Sequence, residues 1–140
     1  MTERETLLLD TCAAIWLASD LPMTRAAIEA MDRAFATASR VFVSPISAWE
    51  IGMLCARGRL KFSMSPQSWF HRLRSTRGMA LAELSPEILI AASYLPGRPP
   101  RDPADRIMAA TAREHGYKLV TRDRPLLAYA EQGHIQALPC

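Results

Sequence analysis

Short apolar runs separated by stretches of helical length constrain this chain more than any other feature. Thr6-Leu7-Leu8-Leu9 stops abruptly at Asp10, and Val41-Phe42-Val43 and Leu119-Val120-Thr121 are comparably short β-branched or aromatic runs. Runs this short and this apolar read as strands buried on both faces. Between them lies helix-start punctuation. Ser44-Pro45, Ser65-Pro66 and Ser85-Pro86 each join an N-cap hydroxyl to a proline whose missing N–H costs nothing at the first helical position. These pairs predict helices over Pro45–Arg57, Pro66–Ser75 and Pro86–Leu95.

The same reasoning extends to the rest of the chain. Thr24–Arg40 contains Ala, Met, Glu and Arg with apolar spacing at Ile28, Met31 and Phe35, which predicts a helix. Met79–Leu84 is a third strand and Leu119–Thr121 a fourth. Asp102-Pro103 opens a helix that runs to His115 and ends at Gly116; Pro125–Glu131 is a short helix closed by Gly133. Ile135–Leu138 completes the set as an edge strand, and Pro96–Arg101 is a loop. Strands alternating with helices predict an α/β sandwich around a mostly parallel sheet. With 140 residues the chain is expected to be a single domain over 1–140.

Composition excludes several classes. A hydrophobic share of 49% with 22% charged residues is that of a globular protein rather than a disordered one. Cys12, Cys55 and Cys140 form no CxxC pair, and His71, His115 and His134 stand at no zinc-ligand spacing. Met1–Asp10 lacks the apolar stretch of a signal peptide, and no apolar run approaches the roughly 20 residues that span a bilayer. A reduced, cytoplasmic protein without a membrane partner is expected. The net charge is only +3, but no acid occurs between Glu50 and Glu83, where Arg57, Arg59, Lys61, Arg72, Arg74 and Arg77 all fall. Such a segment attracts phosphates or an acidic partner; a solvated basic face would read the same.

Four carboxylates stand out. Ligands of an open parallel sheet bind beyond the carboxyl ends of its strands. Asp10 directly follows the first strand and Asp123 lies two residues past the fourth, although each alone is explained as an N-cap. Glu50 lies four residues after Ile46 and four before Leu54, inside an apolar helix stripe. A charge there is penalised unless a cation or strong donors meet it; the simpler alternative is a pair with Arg57. Asp102 is an N-cap. Asp105, three positions later, resembles the acidic partner of a capping box, yet shares a face with Met108, Ala109 and Ala112.

The words Leu7-Leu8-Leu9-Asp10-Thr11, Ser44-Pro45-Ile46-Ser47-Ala48-Trp49-Glu50-Ile51, Arg101-Asp102-Pro103-Ala104-Asp105-Arg106 and Leu119-Val120-Thr121-Arg122-Asp123 resemble, in order and spacing, those of the PIN-domain nucleases. Within that family the chain is similar to the VapC-type toxins of bacterial type II toxin–antitoxin pairs. The resemblance runs from Leu7 to about Ala130. It implies a three-layer α/β/α sandwich with Asp10, Glu50, Asp105 and Asp123 as the acidic quartet. Thr11 matches the residue after the first acid, and Ser47 the small hydroxyl residue one turn before the glutamate. Cys12 and Pro100 depart from the pattern, since relatives often carry His at both places.

Carboxylates gathered at contact distance repel by about 4 kcal/mol per pair at ~4 Å and an effective dielectric near 20. A divalent cation relieves that, and hard oxygen donors favour Mg²⁺ or Mn²⁺. The expected roles are Asp10 and Asp105 as direct ligands, with Glu50 and Asp123 acting through water or a second ion. Thr11, Ser47, Arg106 and Arg122 are expected near the RNA substrate, the two arginines either on its phosphates or in ion pairs with the acids. The resemblance further implies a cognate antitoxin and a homodimer, with the acid-free stretch from Ile51 to Ala82 helping to receive the antitoxin. Two alternatives remain: a PIN nuclease that processes RNA without an antitoxin, and, more remotely, a phospho-accepting receiver module. The latter needs an Asp after a central strand where this chain has Ser44-Pro45.

Overall fold

The computed structural model describes residues 6–36 and 40–140. Among them five strands, β1 (Leu7–Leu9), β2 (Val41–Val43), β3 (Met79–Leu81), β4 (Lys118–Thr121) and β5 (Gln136–Pro139), form one sheet in the order β3-β2-β1-β4-β5. Every neighbouring pair is parallel. The helices are α1 (Thr11–Ala18), α2 (Arg25–Ala36), α3 (Pro45–Ala56), α4 (Pro66–Arg74), α5 (Pro86–Ala91), α6 (Pro103–His115) and α7 (Arg124–Glu131). None of the described helices is long and apolar enough to cross a membrane.

The pleat of β1 explains the layering. Alternate side chains of a strand point to opposite faces, so Leu7 and Leu9 meet one layer and Leu8 the other. With Val41, Val43 and Val120, the first pair packs on small residues of α1 and α2 and on Ile51, Phe70 and Leu73 of α3 and α4. On the opposite face Leu8 and Leu119 pack on Met108, Ala109 and Ala112 of α6 and on Leu126 and Tyr129 of α7. All three β1 leucines are completely buried, each stabilising the fold by about 1.5–3 kcal/mol. The expected α/β/α sandwich with a parallel sheet is what the chain forms.

Several expectations need correction. In α2 the buried residues are Ala27, Ala30, Met31 and Ala34, while Ile28 and Phe35 are partly exposed at 44% and 36%. Small residues let this helix lie close against the sheet, so the alanines rather than the larger residues face it. The last expected turn of α2 over 37–39, like residues 1–5, lies outside the described residues. β3 ends at Leu81; Ala82 N–H still donates to Val43 O at 2.8 Å before the chain leaves for the Ser85 cap. α5 ends at Ala91 and not Leu95, because Ser93 and Tyr94 bond back three residues to Ile90 and Ala91 and wind the chain into a tight turn. The three Ser-Pro starts are as expected: Ser44, Ser65 and Ser85 cap α3, α4 and α5.

The loop before α6 is pinned. Tyr129 Oη donates to Pro96 O at 2.6 Å, and Gln132 clamps Arg98 by accepting from its N–H (2.9 Å) and donating to its carbonyl (3.1 Å). Gly97 has φ +68°, and a Cβ there would fall 2.4 Å from His134 Nε2. At the other end α6 stops at Gly116, whose φ of +69° lets Tyr117 N–H reach Ala112 O. Chain order makes β1 the turning point: β2 and β3 extend the sheet on one side, β4 and β5 on the other. A crevice therefore opens beyond the carboxyl ends of β1 and β4.

Candidate active site

Asp10 stands at that crevice, at the end of β1 and at the N-cap of α1. Its backbone N–H donates to Val120 O, which extends the β1–β4 pairing by one bond. Its Oδ1 accepts from Ala13 N–H at 2.7 Å and its Oδ2 from the Thr121 hydroxyl. Only 6% of Asp10 is exposed. Burial pushes its pKa up, the hydrogen bonds from Thr121 and Ala13 oppose this, and the charge of Asp123 adds to the rise.

Glu50 reaches the same edge from α3. The Thr11 hydroxyl donates to its Oε1 at 2.5 Å and lies 2.9 Å from the buried Ser47 hydroxyl. With Glu50 ionised, the one Thr11 proton is committed to the carboxylate, so Ser47 donates to Thr11 and the three groups form a directed chain. The expected alternative, an ion pair with Arg57, does not occur among the described residues, where the single salt bridge is Arg25–Glu29. Burial pushes the Glu50 pKa up, the Thr11 bond opposes it, and Asp102, Asp10 and Asp123 push it further.

Asp105 is presented by α6, one turn inside a start capped by Asp102, whose Oδ1 accepts from Asp105 N–H at 3.1 Å. Its carboxylate accepts no hydrogen bond among the described residues and makes no capping-box return. Burial, followed by the charges of Asp123, Asp102, Glu50 and Asp10, lifts its pKa to about 7. Asp102 is thus a cap whose charge still acts on its neighbours. Asp123 caps α7, accepting from Leu126 N–H at 3.1 Å.

The charge of Asp123 helps to push up the pKa of Asp10, Glu50 and Asp105, and every donor atom is a hard oxygen. That donor set suits a divalent cation such as Mg²⁺. Among the described residues, however, no three acid, His or Cys side chains converge tightly enough to hold an ion as they stand. Asp10, Glu50 and Asp123 are each drawn onto a hydroxyl or backbone donor of their own. Cys12, on the first turn of α1, has its thiol pushed up to about 11 by burial and by Asp10, Glu50 and Asp123. It stays a neutral thiol at neutral pH and adds no charge to the cluster.

The remaining predicted residues divide. Thr11 and Ser47 are buried and bonded within the site rather than turned to solvent. Arg106 is engaged by carbonyls, its Nε donating to Ala92 O (2.9 Å) and its Nη1 to Pro100 O (3.2 Å). Arg122 lies 3.3 Å over the Trp16 ring and donates through Nη2 to Cys140 O at 2.7 Å. Neither forms an ion pair with an acid of the quartet. Thr121 is the residue that sequence reasoning missed. Its only signal was its place at the end of an apolar run; its partners come from elsewhere in the fold.

The family model described as PIN domain matches residues 7–132. Over 125 residues the chain is 34% identical to ribonuclease VapC22 of Mycobacterium tuberculosis, with 89% of this chain and 92% of that protein covered. Among solved structures it is similar to VapBC2 from Rickettsia felis bound to a DNA fragment from its promoter, with a TM-score of 0.65, 13% identity, and 96% of this chain and 98% of that chain covered. It is also similar to PAE2754 from Pyrobaculum aerophilum, with a TM-score of 0.58, 19% identity, and 99% and 92% covered. At such identities the structural likeness speaks for the fold.

Proposed function

The chain belongs to the PIN-domain family, and from that membership we propose that it is a Mg²⁺- or Mn²⁺-dependent endoribonuclease and the toxin of a type II toxin–antitoxin pair. The observation that carries the reading is Asp105: a half-buried carboxylate with no hydrogen-bond donor, lifted to about 7 by burial and by Asp123, Asp102, Glu50 and Asp10. Such a group suits a cation, which would hold it ionised.

Asp10 and Asp105 would be the direct ligands. Asp10 has each oxygen bonded once, which leaves lone pairs free in a fixed direction. Glu50 and Asp123 would act through retained waters. A bound divalent cation would neutralise charge on the scissile phosphate and make its water more acidic. The protein's own part is orientation. Thr11 fixes Oε1 of Glu50, so that Oε2 can accept from the attacking water and aim it. Thr11 and Ser47 are on this reading positioning groups, not substrate contacts. Arg122, exposed and with further N–H groups, is the better phosphate contact; Arg106 braces the loop that leads into Asp102, the cap of the helix carrying Asp105.

The relatives support an antitoxin partner. A groove of about 690 Å³ is lined by Phe35, Phe62, Trp69 and Leu73 with Lys61 and Arg72, and by no acid. Most of its lining comes from the acid-free part of the sequence, and it suits an apolar segment carrying acids. For the homodimer, Ile90 of α5 and Tyr94 in the turn after it offer apolar surface, 62% and 82% exposed. A single domain in the cytoplasm completes the reading.

Cleavage of labelled RNA tests it. Mn²⁺ or Mg²⁺ should be required and a chelator should stop the reaction. Asp10→Asn and Asp105→Asn should each lower the rate at least about a hundredfold, in line with losing the charge stabilisation of a metal-assisted displacement, with unchanged circular dichroism. Undiminished cleavage by both variants rejects the assignment.

A further inference from the structure

Thr121 stands between Asp10 and Asp123, the first and last of the four candidate acids. It is completely buried at the end of β4. Its hydroxyl oxygen accepts from Asp123 N–H at 3.0 Å, and its proton goes to Oδ2 of Asp10. The direction of both bonds is fixed, because a backbone N–H can only donate and an ionised carboxylate can only accept. The backbone completes the arrangement: Asp10 N–H donates to Val120 O, one residue before Thr121. Asp10 and the start of α7 are therefore both held by the Thr121 hydroxyl, and Asp10 also by the main chain of Val120.

We propose that Thr121 is a positioning residue for metal-dependent cleavage, its hydroxyl tying the Asp10 carboxylate to the Asp123 backbone so that the two acids are set as a unit. The inference rests on the metal-site reading above. Carboxylate ligands that are themselves hydrogen-bonded keep one orientation, and loss of such an outer partner lowers metal affinity or activity by roughly 10–100-fold. Valine has the shape of threonine but would leave Asp10 Oδ2 free to turn and Asp123 N–H without its acceptor.

The experiment compares Thr121→Val, Thr121→Ser and, as a control, Thr111→Val, which removes another completely buried hydroxyl bonded only to the Ile107 carbonyl of its own helix. Mn²⁺ affinity is measured by titration of the purified protein, alongside melting temperature and RNA cleavage. Thr121→Val is expected to weaken Mn²⁺ binding by about tenfold or more, and Thr121→Ser to stay within about threefold of wild type. Thr111→Val should lower the melting temperature and leave Mn²⁺ affinity unchanged. Should the valine variant not fold, Thr121→Ala removes the same hydroxyl and is measured in its place. Wild-type Mn²⁺ affinity in Thr121→Val, or a serine variant as weak as the valine one, overturns the inference while the nuclease reading stands. A wild-type protein that takes up no Mn²⁺ overturns the metal site and this inference with it.

Discussion

Asp105 has an exposed, measurable consequence for stability. In the folded chain its pKa is about 7, against 3.8 as the ordinary value. The folded state therefore binds more protons than the unfolded state between those values, and stability falls as pH rises through that window. Asp10 and Glu50, also raised, act with the same sign. Without divalent ions the melting temperature should fall from about pH 4 to pH 7 and level off above. Asp105→Asn should flatten the fall, and millimolar Mg²⁺ should raise the plateau in wild type more than in the variant. A melting temperature that climbs over this range would contradict the account. Two of the acids were legible because each broke a local rule: Glu50 interrupts an apolar stripe, and Asp105 faces the small-residue side of α6. Thr121 breaks none, since threonine at the end of a buried strand is ordinary, and the bond that matters reaches Asp10, 111 positions away.

Elements were legible where their cause was local. Each Ser-Pro pair became a capped helix start because cap and helix lie within a few residues of one another. Apolar spacing alone does not give the buried face of α2, because packing decides it: close approach to the sheet favours Ala27, Ala30 and Ala34 over Ile28 and Phe35. The early end of α5 has a similar origin, since the turn at Ser93 and Tyr94 leads into a loop fixed by α7. That loop yields a sharp test. Gly97→Ala puts a Cβ at positive φ and against His134 and Gln132, so it should destabilise by more than about 1 kcal/mol. It should also loosen the Gln132–Arg98 clamp, which amide exchange at Arg98 would report. Gly116→Ala meets positive φ but nothing within 4 Å, and should leave that amide protected.

At the scale of the whole molecule the acids and the apolar groove are separate surfaces, so cutting RNA and being restrained should be separable. Expressed alone, the chain should arrest growth, and a small DNA-binding protein encoded beside it should relieve the arrest. Arg72→Glu, on the rim of the groove and away from the acids, should weaken that relief at least about tenfold by placing like charges together while RNA cleavage stays within about twofold. Relief unaffected by this change would place the partner elsewhere. The strand order carries a further consequence, one of timing. β1 lies at the centre of the sheet, yet its neighbour β4 follows it by more than a hundred residues along the chain. Asp10 must wait for Thr121 and Asp123 to join it, so a ribosome-bound chain carries this acid without those partners until β4 has emerged. On the nuclease reading, a translation product that stops before β4 should leave RNA uncut, because its acids cannot yet be set together.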